Sequence, residues 1–131
     1  MGTISVSEHY DLLIDENNDP VNDPEILQNY MDKWDGDLFI GQLNINHNSN
    51  ALEIGAGTGR LALKVLKIGC KIFTGIDMSS KTIIRAKEHL SKYENCSLIC
   101  GDYNTAHTML GCFLIIKKAV NMIRSILDRS C

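Results

Sequence analysis

The chain has no Cys-x-x-Cys pair, no long apolar run, no basic cluster and no internal repeat. Each absence removes a class of function. Five cysteines (Cys70, Cys96, Cys100, Cys112 and Cys131) are odd in number and unpaired in spacing, whereas a structural metal site needs a matched, closely spaced ligand set. They read as reduced, mostly buried small apolar residues, and no metal site is expected. The longest apolar run, Cys112 to Ile116, falls far short of the ~20 residues that cross a bilayer. The N-terminus, MGTISVSEHYDLLIDEN, lacks the basic start and apolar segment of a signal peptide, so a cytoplasmic location is expected. The net charge is −3 with Lys and Arg scattered, the densest pair being Lys117-Lys118, which gives no reason to expect a nucleic-acid or membrane partner. The four histidines (His9, His47, His89 and His107) are dispersed and each is expected at the surface, so none is nominated as a catalytic base.

What remains is an ordinary globular composition, 44% hydrophobic and 22% charged, in 131 residues, enough for one domain. Residues 1–44 read as an N-terminal helical cap, 45–103 as a βαβαβ core and 104–131 as a C-terminal helix. Residues 1–22 are polar apart from Leu12, Leu13 and Ile14. Asp23-Pro24-Glu25 opens a helix with Asp as N-cap and Pro at the first helical position. Its apolar stripe, Leu27, Tyr30, Met31 and Trp34, has helical spacing and is expected in the core. After the Asn-rich turn 44–50, Ala51–Ile54 reads as a buried strand and Leu61, Ala62, Val65 and Leu66 as the inner face of a helix stopped by Gly69. Lys71–Asp77 is the second strand. Ser79 or Ser80 caps a helix with Ile83, Ala86 and Leu90 inward, and Ser97–Asp102 is the third strand. Alternation of this kind implies right-handed crossovers and an α/β, Rossmann-like parallel sheet. Ile116, Ala119, Val120, Ile123 and Leu127 fit one face of the final helix, and 105–113 carries no clear pattern.

The informative segment is Leu52-Glu-Ile-Gly-Ala-Gly-Thr-Gly-Arg60, with glycines at 55, 57 and 59 between a strand and a helix. Glycine there permits positive φ and a close ligand approach. Ligands of open α/β sheets bind at the carboxyl ends of the strands. Glu53, Asp77 and Asp102 mark three successive strand ends, and an acid at the second is placed to accept ribose hydroxyls. A P-loop is excluded, because Gly59 is followed by Arg60-Leu61 instead of Lys-Ser/Thr. A dinucleotide fingerprint can be read from Gly57 to Ala62, but Glu53 would then face an anionic pyrophosphate.

The pattern E-x-G-x-G-x-G, an acid ending the second strand and Gly101-Asp102 ending the third resembles class I S-adenosylmethionine-dependent methyltransferases. Tyr10-Asp11 and the helix through Trp34 to Phe39 are similar to the N-terminal cap of their small-molecule branch. The resemblance covers roughly residues 8–103. It implies S-adenosylmethionine as cofactor, with Gly55, Ala56 and Gly57 lining its methionine moiety, Gly59 completing the loop and Glu53 shaping that end of the pocket. It further implies Asp77 on the ribose hydroxyls, Met78 on the adenine, Asp102 on the adenine amino group, a Tyr103 backbone contact beside it, and Tyr10 as a lid contact.

Family members have seven strands, and the fourth and later ones build the substrate site. No clear fourth strand follows Asp102, so the chain reads as truncated, lacking most of that half. Without a fourth strand Ala51–Ile54 would be an exposed apolar edge. Either Cys112–Ile116 supplies a replacement strand, or the chain forms a homodimer through that edge, or it is incomplete. The expected function is methyl transfer to a small-molecule acceptor, or the cofactor-binding portion of such an enzyme. The alternatives are a non-catalytic cofactor-binding or interaction module and, third, an NAD-binding fragment.

Overall fold

The computed structural model describes residues 2–102, residue 104 and the backbone of 114–117. Its centre is a parallel sheet of β1 (Asn50–Ile54), β2 (Ile72–Asp77), β3 (Cys96–Cys100) and β4 (Leu114–Lys117), in the order β3-β2-β1-β4. Register pairs Ala51 with Phe73 on one side and with Leu114 on the other. Counting in chain order, the helices are α1 (Val6–Asp15), α2 (Glu25–Asp35), α3 (Asp37–Gln42), α4 (Arg60–Ile68) and α5 (Ser80–His89), with a 3-10 turn at Pro20–Asn22.

One face of the sheet carries the main core. Ala51 and Phe73 pack against Leu61, Ala62, Val65 and Leu66 of α4 and Leu90 at the end of α5. Phe39 and Ile40 of α3 join them. Complete burial of such an aliphatic side chain contributes about 1.5–3 kcal/mol, so the α4 stripe alone is a large share of the driving force. Period-two alternation sends Leu52 and Ile76 to the opposite face, where Ile54 and Ile99 adjoin them. The parallel pairing brings the carboxyl ends of β1, β2 and β3 to one rim, as the spacing predicts.

β4 adds a fourth strand to the three read from spacing, and it overlaps the Cys112–Ile116 run offered as a replacement strand beside Ala51–Ile54. Ile116 lies in a strand, so the apolar face expected for the C-terminal helix does not begin there; Ala119, Val120, Ile123 and Leu127 lie outside the described residues. A short apolar run suits a buried strand as well as a helix, and periodicity alone does not separate the two. Because β4 pairs with β1, the first strand is interior to the sheet, which removes the reason for a homodimer through that edge.

α1 lies within the segment read as a helical cap, in the stretch 1–22 for which the sequence reading gave no helix of its own. Its start is a capping box: the Ser5 side chain accepts the Glu8 N–H, while Glu8 accepts the Ser5 N–H at 2.7 Å. That backbone bond, then the Ser5 hydroxyl, holds the exposed Glu8 carboxyl below its usual range. α1 packs on α5, where Asp11 Oδ1 accepts from Ser79 Oγ at 2.5 Å and from the Lys81 N–H at 3.2 Å.

α2 departs from expectation in two ways. Pro24, not Asp23, occupies its N-cap, with no side-chain cap bond. Its apolar stripe is not core: Leu27, Tyr30 and Trp34 are 47%, 59% and 53% exposed. The helix docks by its polar edge. Arg60 of α4 donates to Gln28 Oε1 at 3.0 Å and to Asp35 at 2.6 Å and pairs with Asp32, which Lys64 also reaches. Charged groups in a part-buried network prevail over the apolar stripe for this contact.

Candidate functional site

The turn from β1 into α4 is built on positive φ: +75° at Gly55, +59° at Gly57 and +100° at Gly59, the N-cap of α4. A Cβ at Gly59 would also stand 3.1 Å from Leu90 Cδ1. The loop lies close on β2 because position 75 is glycine, where a Cβ would come 3.0 Å from Ala56 Cβ and 2.8 Å from Leu98 Cδ2.

Three successive loop N–H groups are already bonded. Gly55 and Ala56 both donate to the Ile76 carbonyl, at 2.8 and 3.0 Å, and Gly57 donates to Asp77 Oδ2 at 2.9 Å. A phosphate-cradling loop turns such donors toward its ligand. Here they are turned inward, and Arg60, the cation beside the loop, is held by Asp32 and Asp35. These three donors are therefore not turned toward a ligand phosphate.

The acids fall on the rim as the sequence predicts. Glu53 is 1% exposed on β1, opposite Gly75. Asp77 ends β2 half-buried; besides Gly57, it accepts the Ser79 N–H through Oδ1 at 3.1 Å, and its two oxygens retain lone pairs for further donors. Met78, beside it, is 48% exposed. Asp102 is exposed just beyond β3 and accepts the Asn104 N–H at 3.0 Å. Tyr103 lies outside the described residues.

The N-terminal segment reaches over the same loop through Asp19, a residue without a motif to reveal it. Asp19 is buried; its Oδ1 accepts from Thr58 Oγ1 at 2.6 Å and from the Val21 N–H at 3.1 Å. Its Oδ2 meets His89 Nε2 at 2.6 Å and Arg85 Nη1 at 3.3 Å, both on α5. Burial works to raise this carboxyl, but the hydrogen bonds from Thr58, His89 and Val21 prevail and hold it below its usual range. His89 is thus half-buried and bonded, contrary to the surface position expected for it. Tyr10, on α1, shares with Gly57 the wall of a cavity of ≈210 Å³ beneath this segment. The cysteines divide: Cys70 is buried, Cys96 half-buried and Cys100 exposed, with Cys112 and Cys131 outside the described residues.

Comparison with known proteins agrees with this geometry. Residues 51–123, more than half of the chain, match the family model described as a methyltransferase domain. A probable cobalt-precorrin-6B C(15)-methyltransferase (decarboxylating) from Methanocaldococcus jannaschii is 33% identical over 66 residues, covering 49% of this chain and 36% of the relative. Among solved structures, the N-methyltransferase NodS from Bradyrhizobium japonicum WM9, in complex with S-adenosyl-L-homocysteine, superposes with a TM-score of 0.56 at 23% identity, covering 73% of this chain and 47% of that one. The [4+2]-cyclase SpnF reaches 0.61 at 23% identity over 74% of this chain and 41% of that one, so the fold itself does not fix the reaction. The matches span 36–40% of the length of the curated relatives. With residues 51–123 matched to that model on a Rossmann-like parallel sheet, the chain belongs to the methyltransferase-domain family, of the class I S-adenosylmethionine-dependent kind.

Proposed function

We propose that this chain binds S-adenosylmethionine on the rim of β1, β2 and β3 and transfers its methyl group to a small-molecule acceptor. The observation that carries the reading is the inward-turned loop: Gly55, Ala56 and Gly57 spend their N–H groups on Ile76 and Asp77, beside the buried Glu53. That arrangement disfavours the pyrophosphate of a dinucleotide and suits a ligand bearing an ammonium and a sulfonium. In this reading Gly55, Ala56, Gly57 and Gly59 form the cradle of the methionine end, with Glu53 supplying negative potential beneath it. Asp77 accepts the ribose hydroxyls on the lone pairs left by its backbone bonds. Met78 covers the adenine, Asp102 accepts its amino group with Tyr103 adjacent, and Tyr10 closes over the amino-acid end.

The cofactor supplies an activated methyl on a good leaving group, so the protein's task is alignment and exclusion of water more than proton transfer. In this reading Tyr10 and the segment latched by Asp19 carry out that task. Calorimetric titration with S-adenosylmethionine and with NAD tests the assignment: saturable binding of the first and none of the second is expected, and the reverse order would refute it.

A cofactor-binding module without turnover is the second reading. It predicts the same binding isotherm with no methyl transfer to any acceptor.

A further inference from the structure

The N-terminal segment is held to the body by charge more than by packing. No residue of α1 is buried, and none joins either core cluster; Leu13 and Ile14 are only half-buried. A cavity of ≈210 Å³ lies between Leu13, Ile14 and Pro20 on one side and Gly57 and Thr58 on the other, so apolar packing under the segment is incomplete.

The attachment is a ladder of charges. Asp11, Asp15 and Asp19 recur at every fourth residue, and so do Lys81, Arg85 and His89 on α5. The two rows meet in the same order. Asp11 accepts the Lys81 N–H, and Asp15 pairs with Lys81 Nζ at 2.7 and 2.5 Å. Asp19 pairs with Arg85 and His89, and Arg85 also reaches Asn17 Oδ1 at 3.5 Å and Glu88 at 3.3 Å. The rungs are unequal: the side chains of Asp15 and Lys81 are 50% and 45% exposed, that of Asp19 only 1%. An exposed pair contributes little, whereas a buried carboxylate is costly to strip of its partners.

Once released, the segment has little to keep it helical. α1 has 10 residues, fewer than the ~12–15 an isolated helix needs. Its acids Glu8, Asp11 and Asp15 also lie on adjacent turns, where like charges repel once Lys81 is gone.

We infer that residues 2–22 form an ion-latched strap, which detaches from α5 and unwinds as a unit while the sheet stays folded, and that the Asp19 rung sets how often it opens. Because Asp19 also holds Thr58 Oγ1, each opening uncovers the glycine loop. Detachment does not depend on the methyltransferase reading, which enters only in naming that loop as a cofactor cradle.

Native-state hydrogen exchange on the chain without ligand reads the opening directly. Amides of residues 10–15 should exchange through an opening at least ~100-fold more frequent than the one that exposes β1 and β2. Raising salt from ~0.1 to ~1 M shortens the Debye length from ~10 to ~3 Å and should make the strap open about twofold or more as often. Asp19→Asn should raise opening roughly tenfold or more. Lys81→Gln removes an exposed rung and should raise it only about two- to fivefold. Exchange of α1 in step with β1 and β2 would overturn the inference, because the segment would then open only with the whole domain. Exchange of α1 unmoved by salt, or unmoved by Asp19→Asn, would overturn it as well. Should Asp19→Asn fail to fold, Arg85→Gln takes its place: it leaves Thr58 and His89 on Asp19, opening should still exceed that of Lys81→Gln, and no increase would refute the latch.

Discussion

The Gly57 N–H donates to Asp77 Oδ2 at 2.9 Å across 20 residues of sequence, joining the glycine loop to the end of β2. One carboxylate therefore shapes the loop and, in the proposed reading, receives the ribose. Asp77→Ala removes both functions. A hydrogen bond to a charged group contributes about 1.5–3 kcal/mol, so cofactor affinity should fall by roughly 10–150-fold. Asp77→Asn keeps one acceptor oxygen and should lose roughly half of that free energy. Calorimetry on the three proteins gives the order wild type, Asn, Ala; equal affinities would show that Asp77 is not in the site.

Gly75→Ala tests the seat of the loop. The new Cβ would lie 2.8 Å from Leu98 Cδ2 and 3.0 Å from Ala56 Cβ, so one of them must move. Overpacking of this kind costs about 1–3 kcal/mol, visible as a fall in thermal midpoint of several degrees. Because Ala56 belongs to the cradle, cofactor affinity should fall with it.

The Asp19 latch should be sensitive to acid. Its carboxyl is held below the usual range in the folded chain, so the stability it contributes is complete at neutral pH, where the unfolded group is also ionised. That contribution is lost as pH falls below ~4 toward the lowered folded value. Asp19→Asn should cost about 2–3 kcal/mol at pH 7, since it strips a buried acceptor from Thr58, His89 and Arg85. The gap between wild type and variant, measured by urea unfolding, should narrow toward pH 3. A gap independent of pH would contradict the role given to the carboxylate.

Burial, then the neighbouring Cys70 and Glu53, pushes the Cys96 thiol up to about 11. Burial likewise raises Cys70. Both should resist iodoacetamide at pH 8 in the folded chain and react on denaturation, whereas the exposed Cys100 should be alkylated first among these three. Peptide mass spectrometry reads the order directly.

The legible parts of this chain were those governed by local periodicity and by glycine. The Ala51–Ile54 strand, the α4 stripe and the Ser79 cap of α5 follow from rules acting within a few residues, and the structure bears them out. Long-range polar pairing was not legible. α2 turns Gln28, Asp32 and Asp35 toward Arg60 and leaves Trp34 outside, because the competing partner is 25 or more residues away in sequence. Asp19 is one of many acids in the chain until Thr58, Arg85 and His89 converge on it. α1 is the case where a local signal existed in Ser5-x-x-Glu8 and was hidden by the polar composition around it. β4 was legible only as one alternative for Cys112–Ile116, since five apolar residues in a row carry no period to read.

The most direct test of the account is a paired calorimetric titration of the chain with S-adenosylmethionine and with NAD under one buffer condition. Inward-turned loop donors beside a buried Glu53 predict a saturable isotherm for S-adenosylmethionine, abolished or strongly weakened in Asp77→Ala, and no heat of binding for NAD. Saturable binding of NAD with none of S-adenosylmethionine would contradict it.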